Sequence, residues 1–342
     1  MFGNGAEGPR KSDGQMRSPI RVAVVGHVEW AEFAIVDHVP VAGEIVQATE
    51  TWEEPAGGGA VAAVQLAKLN GSCLFLTAVS DDPLGSQVKP ELERHGLEVC
   101  AAVQATKQRR AFVHLDSRGE RTITTTGERL TPGAGDDLPW ARLAGFDAVY
   151  VTAADAEGFR LSRAARKLVA TIRAARGLLE SGVTVDVVVA SRNDPGEDFD
   201  LAQFTNPPGC VVRTDGAKGG TIAHSDGTVE IWEARPLESP WVDSYGAGDS
   251  FAAGITYGLG LGLPVLEAAR IGALCGAANL QGRGPYAGQA TAEDLARSIW
   301  LRTRRAEIPE GRSPARAPVR SSRPGTRAGA PRPSSMPAGP GR

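Results

Sequence analysis

Short apolar runs alternate with segments of helical periodicity along most of the chain, and this alternation constrains the fold more than any other feature. Strand-like runs occupy 21–26, 73–79, 148–152 and 183–190, and helical patterns occupy 59–69, 83–95 and 161–179. Runs that are apolar throughout are typical of strands buried on both faces. Repeated strand–helix units predict an α/β fold, a doubly wound parallel sheet with helices on both faces.

Two segments interrupt this alternation and predict a second, smaller sheet. The first spans about 43–53 and has strand-like residues that no helix follows directly. The second, 110–126, has the pattern of a hairpin that turns at 116–119. A small sheet beside the open end of an α/β sheet is well placed to act as a lid over a ligand.

Composition sets the boundaries of the folded part and excludes several classes of partner. Residues 1–19 are polar and glycine-rich and 306–342 are rich in Pro, Arg and Ser, so we expect disordered tails around a domain at 20–305. A net charge of −3 gives no reason to expect a nucleic acid or an anionic membrane as partner. Residues 1–19 have no apolar block of the kind a signal peptide needs, which favours a cytoplasmic protein. The four cysteines are widely spaced, and buried free thiols are a simpler interpretation than metal or disulfide use.

The segment 241–254, W-V-D-S-Y-G-A-G-D-S-F-A-A-G, carries the chemistry. A glycine-rich turn that enters a helix leaves backbone N–H groups unpaired at the positive end of the helix dipole, which favours an anion such as phosphate. We therefore predict an anion hole at Gly246, Ala247 and Gly248. Asp249 follows in the first helical turn, where a carboxylate beside a phosphate makes sense as a general base. The alternative is a helix-capping aspartate. The same letters at 133–136 precede no long apolar helix, so that copy is predicted to be a loop.

Residues 243–254 resemble the signature D-T-x-G-A-G-D-x-F-x-x-G of the PfkB (ribokinase-like) family of carbohydrate kinases, with Ser244 in place of threonine. Other segments resemble family landmarks in the same order over roughly 21–300: the glycines at 57–59, the segment 78–85, and a T-x-G-x-x-G turn at 214–219. The resemblance implies a ribokinase-like fold with a small β-sheet lid. It also implies transfer of the γ-phosphate of ATP to a hydroxyl of a sugar, nucleoside or related compound, with Mg²⁺.

The resemblance further implies roles for individual residues. Asp249 would be the base, and the acceptor site would be lined by Gly57 and Gly58. The residues near ATP would be Thr214, Gly216, Gly219 and Asn279. Magnesium would be organised by Glu197 and Asp194, and a K⁺ ion would be surrounded by Asp243, Tyr245 and Gly284. Two of these assignments have alternatives: the segment 194–197 as a solvated acidic loop, and Asn279 as a helix-surface residue. The resemblance also allows a homodimer through the lid.

The departures from the family pattern lie at the acceptor end. Ala31 stands where the family places a hydroxyl-binding aspartate, and Val61 where it places an asparagine. Glu29 and Glu32 flank Ala31 and are candidates for the lost contact, although both fit a plain acidic loop. A site without two hydroxyl-binding groups is expected to take a different or less polar acceptor than ribose.

Two other functions were weighed against the kinase. A non-catalytic sugar- or nucleotide-binding protein with the same fold has little use for Asp249 beside a phosphate. A nicotinamide-dependent enzyme needs G-x-G-x-x-G directly after the first strand, and Gly26 begins no such motif.

Overall fold

The computed structural model describes residues 20–298. Its strands form one large and one small sheet, six α-helices have both ends inside this range, and residues 292–298 are also helical. The strands are β1 (Val22–Val25), β2 (Glu29–Ile35), β3 (Glu50–Ala56), β4 (Cys73–Ser80), β5 (Leu97–Gln104), β6 (Arg110–Leu115), β7 (Arg121–Thr126), β8 (Ala148–Val151), β9 (Leu168–Thr171), β10 (Val187–Ser191), β11 (Cys210–Thr214), β12 (Gly220–His224) and β13 (Val229–Trp232). The helices are α1 (Gly58–Asn70), α2 (Pro83–Glu93), α3 (Ala156–Ser162), α4 (Ala175–Ser181), α5 (Ala247–Gly260) and α6 (Val265–Asn279).

The large sheet has nine strands in the order β13-β12-β11-β10-β9-β8-β1-β4-β5. The seven strands from β11 to β5 are parallel, and β12 and β13 extend one edge in antiparallel fashion. Alternate residues of β1 enter two separate apolar clusters: Val22 and Val24 pack on the side of α1 and α5, and Ala23 and Val25 on the side of α3 and α4. Burial on both faces explains the unbroken apolar run of β1 and confirms the predicted doubly wound α/β fold.

The predicted helix over 161–179 is wrong. The chain instead forms α3, then the four-residue strand β9, then a short turn and α4. Leu168 and Ala170 face one apolar cluster and Val169 the other, so β9 is buried on both faces between β8 and β10. A four-residue strand between short helices has too little sequence of its own to separate it from a helical pattern.

The small sheet has the order β3-β2-β6-β7. The hairpin predicted over 110–126 is present as β6 and β7, and Gly119 has a positive φ of 77° in its turn. The prediction over 43–53 is wrong in its first half, because 43–49 form a loop in which Ile45 is exposed and β3 begins only at Glu50. Strand β2, which pairs with both β3 and β6, was not predicted.

Several other predictions concern the remaining parts of the chain. The tails predicted at 1–19 and 306–342, and the end of the domain at 299–305, lie outside the described residues. In the described range, no helix has the length and hydropathy that a bilayer crossing requires. Within the same range the four cysteines are free; three are buried and Cys100 is partly exposed. The look-alike motif at 133–136 is a loop, as predicted.

Candidate active site

The candidate site lies at the carboxyl edge of the parallel sheet, where strand ends and a helix start meet. Strands β10 and β11 end side by side at Ser191 and Thr214, which are paired in register. The loop after β13 leads to α5, whose first turn contains the glycine-rich motif. Ligands of open α/β sheets bind outside the carboxyl ends of the strands, so the fold brings the motif to the expected place.

The predicted anion hole is the start of α5. Gly246 precedes the helix with φ of 79°, a left-handed conformation that favours glycine. A Cβ on Gly246 would lie 2.8 Å from Cγ1 of Val61, so the turn packs directly on α1. A Cβ on Gly248 would meet nothing within 4 Å in the described part of the chain. The first N–H groups of a helix have no intrahelical partner, and here they border open space beside Gly248.

Val61 itself is fully buried behind this turn. Its contact with Gly246 gives it a packing role in supporting this turn. The absence of an asparagine at this position therefore bears on the support of the turn as well as on the acceptor.

Asp249 lies where the starts of α1 and α5 converge. A Cβ on Gly58 would lie only 2.6 Å from Oδ1 of Asp249, so α1 approaches this carboxylate closely. The pKa of Asp249 is raised to about 6, chiefly by burial and then by the charge of Glu197, while the charges of Arg121 and Arg173 oppose the rise. A carboxylate with this pKa is mostly ionised at neutral pH and remains able to accept a proton, as a general base requires.

Glu197 and Asp194 lie in the loop after β10 and share one arginine. Arg173 donates from Nε to Oε1 of Glu197 at 2.7 Å and also pairs with Asp194. The second oxygen of Glu197 accepts from the backbone N–H of Ser191 at 2.6 Å. The added negative charge of Asp194 is therefore matched by Arg173, which also contributes to the field at Asp249.

Asp243, Tyr245 and Gly284, the three residues of the predicted K⁺ region, are adjacent in the structure. The buried carboxylate of Asp243 accepts from the N–H groups of Tyr245 at 2.7 Å and Gly284 at 2.8 Å. Burial raises the pKa of Asp243. The hydroxyl of Tyr245 accepts from the N–H of Gly57 at 3.1 Å, which ties this region to the start of α1.

The T-x-G-x-x-G turn follows β11 at the same edge of the sheet. Gly216 and Gly219 both have positive φ, and a Cβ on Gly219 would lie 2.0 Å from the carbonyl oxygen of Trp232. Asn279 is not the helix-surface residue that was its alternative assignment. Its side chain is fully buried and donates to the carbonyl of Pro285 at 3.1 Å, because the end of α6 packs behind Gly246.

The two glutamates predicted as acceptor contacts lie on opposite faces of β2, as their odd spacing on a strand requires. Glu29 is buried beside Gly57 and pairs with Arg109 at 2.6 Å. Glu32 pairs with Arg110 and is partly exposed. The structure therefore brings Glu29 to the site and leaves Glu32 outside it.

Four arginines and one histidine at the site were missed by the sequence reasoning. Arg109, Arg121, Arg129 and Arg173 all affect the pKa of a neighbouring site residue, and His27 is buried with a pKa held well below its usual value by burial and by three of them. The ring of His27 lies 3.6 Å from the Cβ position of Gly58, so a neutral imidazole forms part of the wall near Asp249. The arginines come from loops and strand ends that have no motif of their own.

Comparison with known proteins identifies carbohydrate kinases as relatives of this chain. A family profile described as pfkB family carbohydrate kinase matches residues 20–202 and 200–292. The chain is 28% identical over 292 residues to acarbose 7(IV)-phosphotransferase of Actinoplanes sp., covering 75% of this chain and 90% of the relative. It is also 28% identical over 310 residues to a fructokinase of Klebsiella pneumoniae, covering 78% of this chain and 97% of that protein.

Solved structures agree at the level of the fold. Arabidopsis thaliana ribokinase complexed with ribose and ATP superposes with a TM-score of 0.66 at 18% identity, over 81% of this chain and 98% of that chain. The predicted ribokinase-like fold is confirmed, and the kinase names of the relatives favour an enzyme over a non-catalytic binding protein. The chain therefore belongs to the pfkB family of carbohydrate kinases, phosphotransferases that use an alcohol group as acceptor.

Proposed function

We propose that the protein transfers the γ-phosphate of ATP to a hydroxyl of a small sugar-like acceptor, with Asp249 as the general base. The observation that carries this proposal is the convergence of two helix starts on one carboxylate, with Oδ1 of Asp249 2.6 Å from the Cβ position of Gly58. A carboxylate whose pKa is raised to about 6 at such a point is suited to proton transfer.

The reaction follows from this geometry. The acceptor hydroxyl donates its proton to Asp249 as its oxygen attacks the γ-phosphorus, and ADP leaves with the electrons of the broken P–O bond. Negative charge on the transferred group is stabilised by the N–H groups at Gly246, Ala247 and Gly248. Thr214, Gly216 and Gly219 border the nucleotide, and Gly57 and Gly58 border the acceptor. The small sheet limits access of water to the reacting groups.

Magnesium fits this site as an ion held mainly by phosphates. Mg²⁺ commonly uses one or two carboxylates, water and substrate phosphates. No cluster of three or more acidic, histidine or cysteine ligands occurs in the part of the chain that the structure describes. Glu197 and Asp194 are the carboxylates available, and Arg173 engages both, so they would hold the ion through water. When bound, Mg²⁺ neutralises charge on the phosphates.

A K⁺ ion fits beside Asp243, because this buried carboxylate is balanced only by two backbone N–H groups at hydrogen-bond distance in the described structure. Asp243, Tyr245 and Gly284 would surround it and stabilise the start of the anion hole. Replacement of K⁺ by Li⁺ at constant ionic strength is expected to lower turnover, and Asp243→Asn is expected to remove that difference.

A homodimer through the small sheet is also part of this proposal. Strand β7 lies at the edge of the sheet and all six of its residues are exposed, so its outer backbone groups are accessible to a second copy. Light scattering of the purified protein measures the mass directly, and a monomer at micromolar concentration would contradict this point.

The test of the proposed activity is acceptor-dependent phosphate transfer. The protein is incubated with Mg-ATP labelled in the γ-phosphate, K⁺ and a panel of sugars, sugar derivatives and nucleosides, and label is followed into the acceptor. We expect one acceptor to form a phosphate ester with stoichiometric release of ADP. ATP that binds without transfer to any acceptor would contradict the proposal.

A further inference from the structure

Arg129 is a partly buried cation near the candidate site. It lies in the loop between β7 and β8. Burial, followed by repulsion from Arg109, lowers its pKa, while the charges of Glu29 and Asp249 oppose this change. Among residues 20–298, its guanidinium makes no hydrogen bond or ion pair. A partly buried guanidinium with no anion is unfavourable, because it loses hydration without a compensating contact.

Arg129 lines a cavity of about 360 Å³ next to the catalytic region. Its neutral walls include Thr131, Ala153 and Gly177, and its other charged lining residues are Arg173, Arg176, Asp155 and Glu180. This volume lies in the range of small-molecule sites, which is about 300–1,000 Å³.

The two acidic side chains of the cavity are already engaged. Asp155 caps α3 by accepting from the N–H of Gly158 at 2.6 Å, and it also accepts from Ala134 at 3.1 Å. Glu180 pairs with Arg176 at 3.2 Å. Since Arg173 also has two carboxylate partners, Arg129 is the cation of the cavity lining that forms no ion pair in the described range, and the carboxylates that attract it, Glu29 and Asp249, belong to the candidate site.

The cavity is connected to Asp249 through the end of β8 and the ring of His27. Ala153 follows Thr152, whose hydroxyl lies 3.5 Å from Nδ1 of His27. The His27 ring lies 3.6 Å, and Oδ1 of Asp249 2.6 Å, from the Cβ position of Gly58. The charge of Asp249 in turn raises the pKa of Arg129. A single extended molecule can therefore reach both ends.

We propose that the acceptor carries an oxyanion, a carboxylate or a phosphate, which Arg129 binds in this cavity while a hydroxyl of the same molecule lies at Asp249. This inference rests on the proposed kinase function. It accounts for Ala31, a residue that makes no polar side-chain contact with an acceptor: recognition is transferred from hydroxyl groups to a charge. Arg129 is a specificity residue in this account.

The experiment compares anionic compounds with neutral counterparts that also have a free CH₂OH group. Gluconate is compared with sorbitol, and fructose 6-phosphate with fructose, first by calorimetric binding without ATP and then by turnover with Mg-ATP. We expect one anionic compound to bind more tightly and turn over faster than its neutral counterpart. A preference for gluconate over sorbitol would indicate a carboxylate, and a preference for fructose 6-phosphate over fructose would indicate a phosphate. In Arg129→Gln, that preference is expected to fall about 10- to 100-fold, as for loss of a charge-assisted contact.

Two further variants separate the local contact from general charge. Arg142→Gln removes the same charge from an exposed position, where Arg142 pairs with Glu98, and is expected to leave the preference unchanged. Arg129→Lys retains the charge without the planar fork, and an intermediate preference is expected.

The outcomes are distinguishable from failure of the proposed function. Equal or weaker binding of both anionic compounds in the wild type would overturn the inference even if neutral sugars are phosphorylated. Loss of ATP affinity in Arg129→Gln equal to the loss for the anionic compound would assign the arginine to the nucleotide and would also overturn it. A preserved preference in binding without any phosphate transfer would contradict the kinase proposal and support the anion site.

Discussion

Gly58→Ala is expected to inactivate the protein without unfolding it. Gly58 is the first residue of α1, and its φ is not positive, so alanine suits the backbone. The added Cβ would lie 2.6 Å from Oδ1 of Asp249, whereas ordinary contacts begin at 3.4 Å. One of the two groups must therefore move by at least the difference of 0.8 Å.

The size of the effect follows from this displacement. A misplacement of about 1 Å at a reacting group costs about 10²-fold in rate, so we expect kcat to fall about 100-fold. Alanine in a helix is favoured over glycine by about 0.5–1 kcal/mol, and this gain offsets part of the strain. The free energy of unfolding is therefore expected to change by less than about 1 kcal/mol.

The assay is ADP release with the best acceptor of the panel, together with urea unfolding. Gly135→Ala is the matched control, because a Cβ there meets nothing within 4 Å in the described residues and the position lies in the look-alike loop. It is expected to have wild-type kcat. Unchanged kcat in Gly58→Ala would refute the close approach of α1 to Asp249. A loss of activity that is explained by unfolding of the variant would refute the expectation that the substitution acts on Asp249 alone.

Other predictions concern pH, stability and the small sheet. The pKa of Asp249 near 6 predicts that kcat/KM decreases below about pH 6 as the base is protonated, and Glu197→Gln should move this limb to lower pH by removing a like charge. Because the folded-state pKa of Asp249 is raised, the folded protein loses stability as this carboxyl ionises while pH rises through about 6. The amide in Asp249→Asn cannot ionise, so urea titrations at pH 8 should give a free energy of unfolding about 1–2 kcal/mol higher than that of the wild type. Trp52 stacks on Phe33 at 4.7 Å and lies 3.8 Å below the guanidinium of Arg283. Trp52→Ala should destabilise the protein by about 2 kcal/mol and raise acceptor-independent ATP hydrolysis, and an unchanged hydrolysis rate would contradict the role of the small sheet in excluding water.

The large sheet was predictable because its strands are buried on both faces. Burial on two sides leaves an unbroken apolar run, as in β1 and β4, which sequence periodicity detects. Strand β9 has only four residues and lies between short helices, so its pattern merges with theirs. Strand β2 contains two glutamates, Glu29 and Glu32, and their partners Arg109 and Arg110 are about 80 residues away in the chain. Only tertiary structure shows that these charges are compatible with a strand.

The same difference between local patterns and distant contacts applies to the candidate site. The proposed anion hole depends on a local turn, so its glycines and Asp249 are visible in one continuous motif. The proposed acceptor cavity depends on residues brought together from distant segments, such as Arg129 and Arg173, and no spacing in the sequence connects them. Asn279 is buried and donates to the carbonyl of Pro285, which its place late in a helix did not indicate.

The central claim is that Asp249 accepts the proton of the acceptor hydroxyl, and turnover of Asp249→Asn tests it most directly. The amide retains the shape of the side chain but cannot act as this base. We predict that kcat falls at least about 10²-fold, that the dissociation constant for Mg-ATP stays within a few-fold of the wild type, and that the acid limb near pH 6 disappears from the residual activity. A variant that binds ATP and turns over at the wild-type rate would contradict the claim.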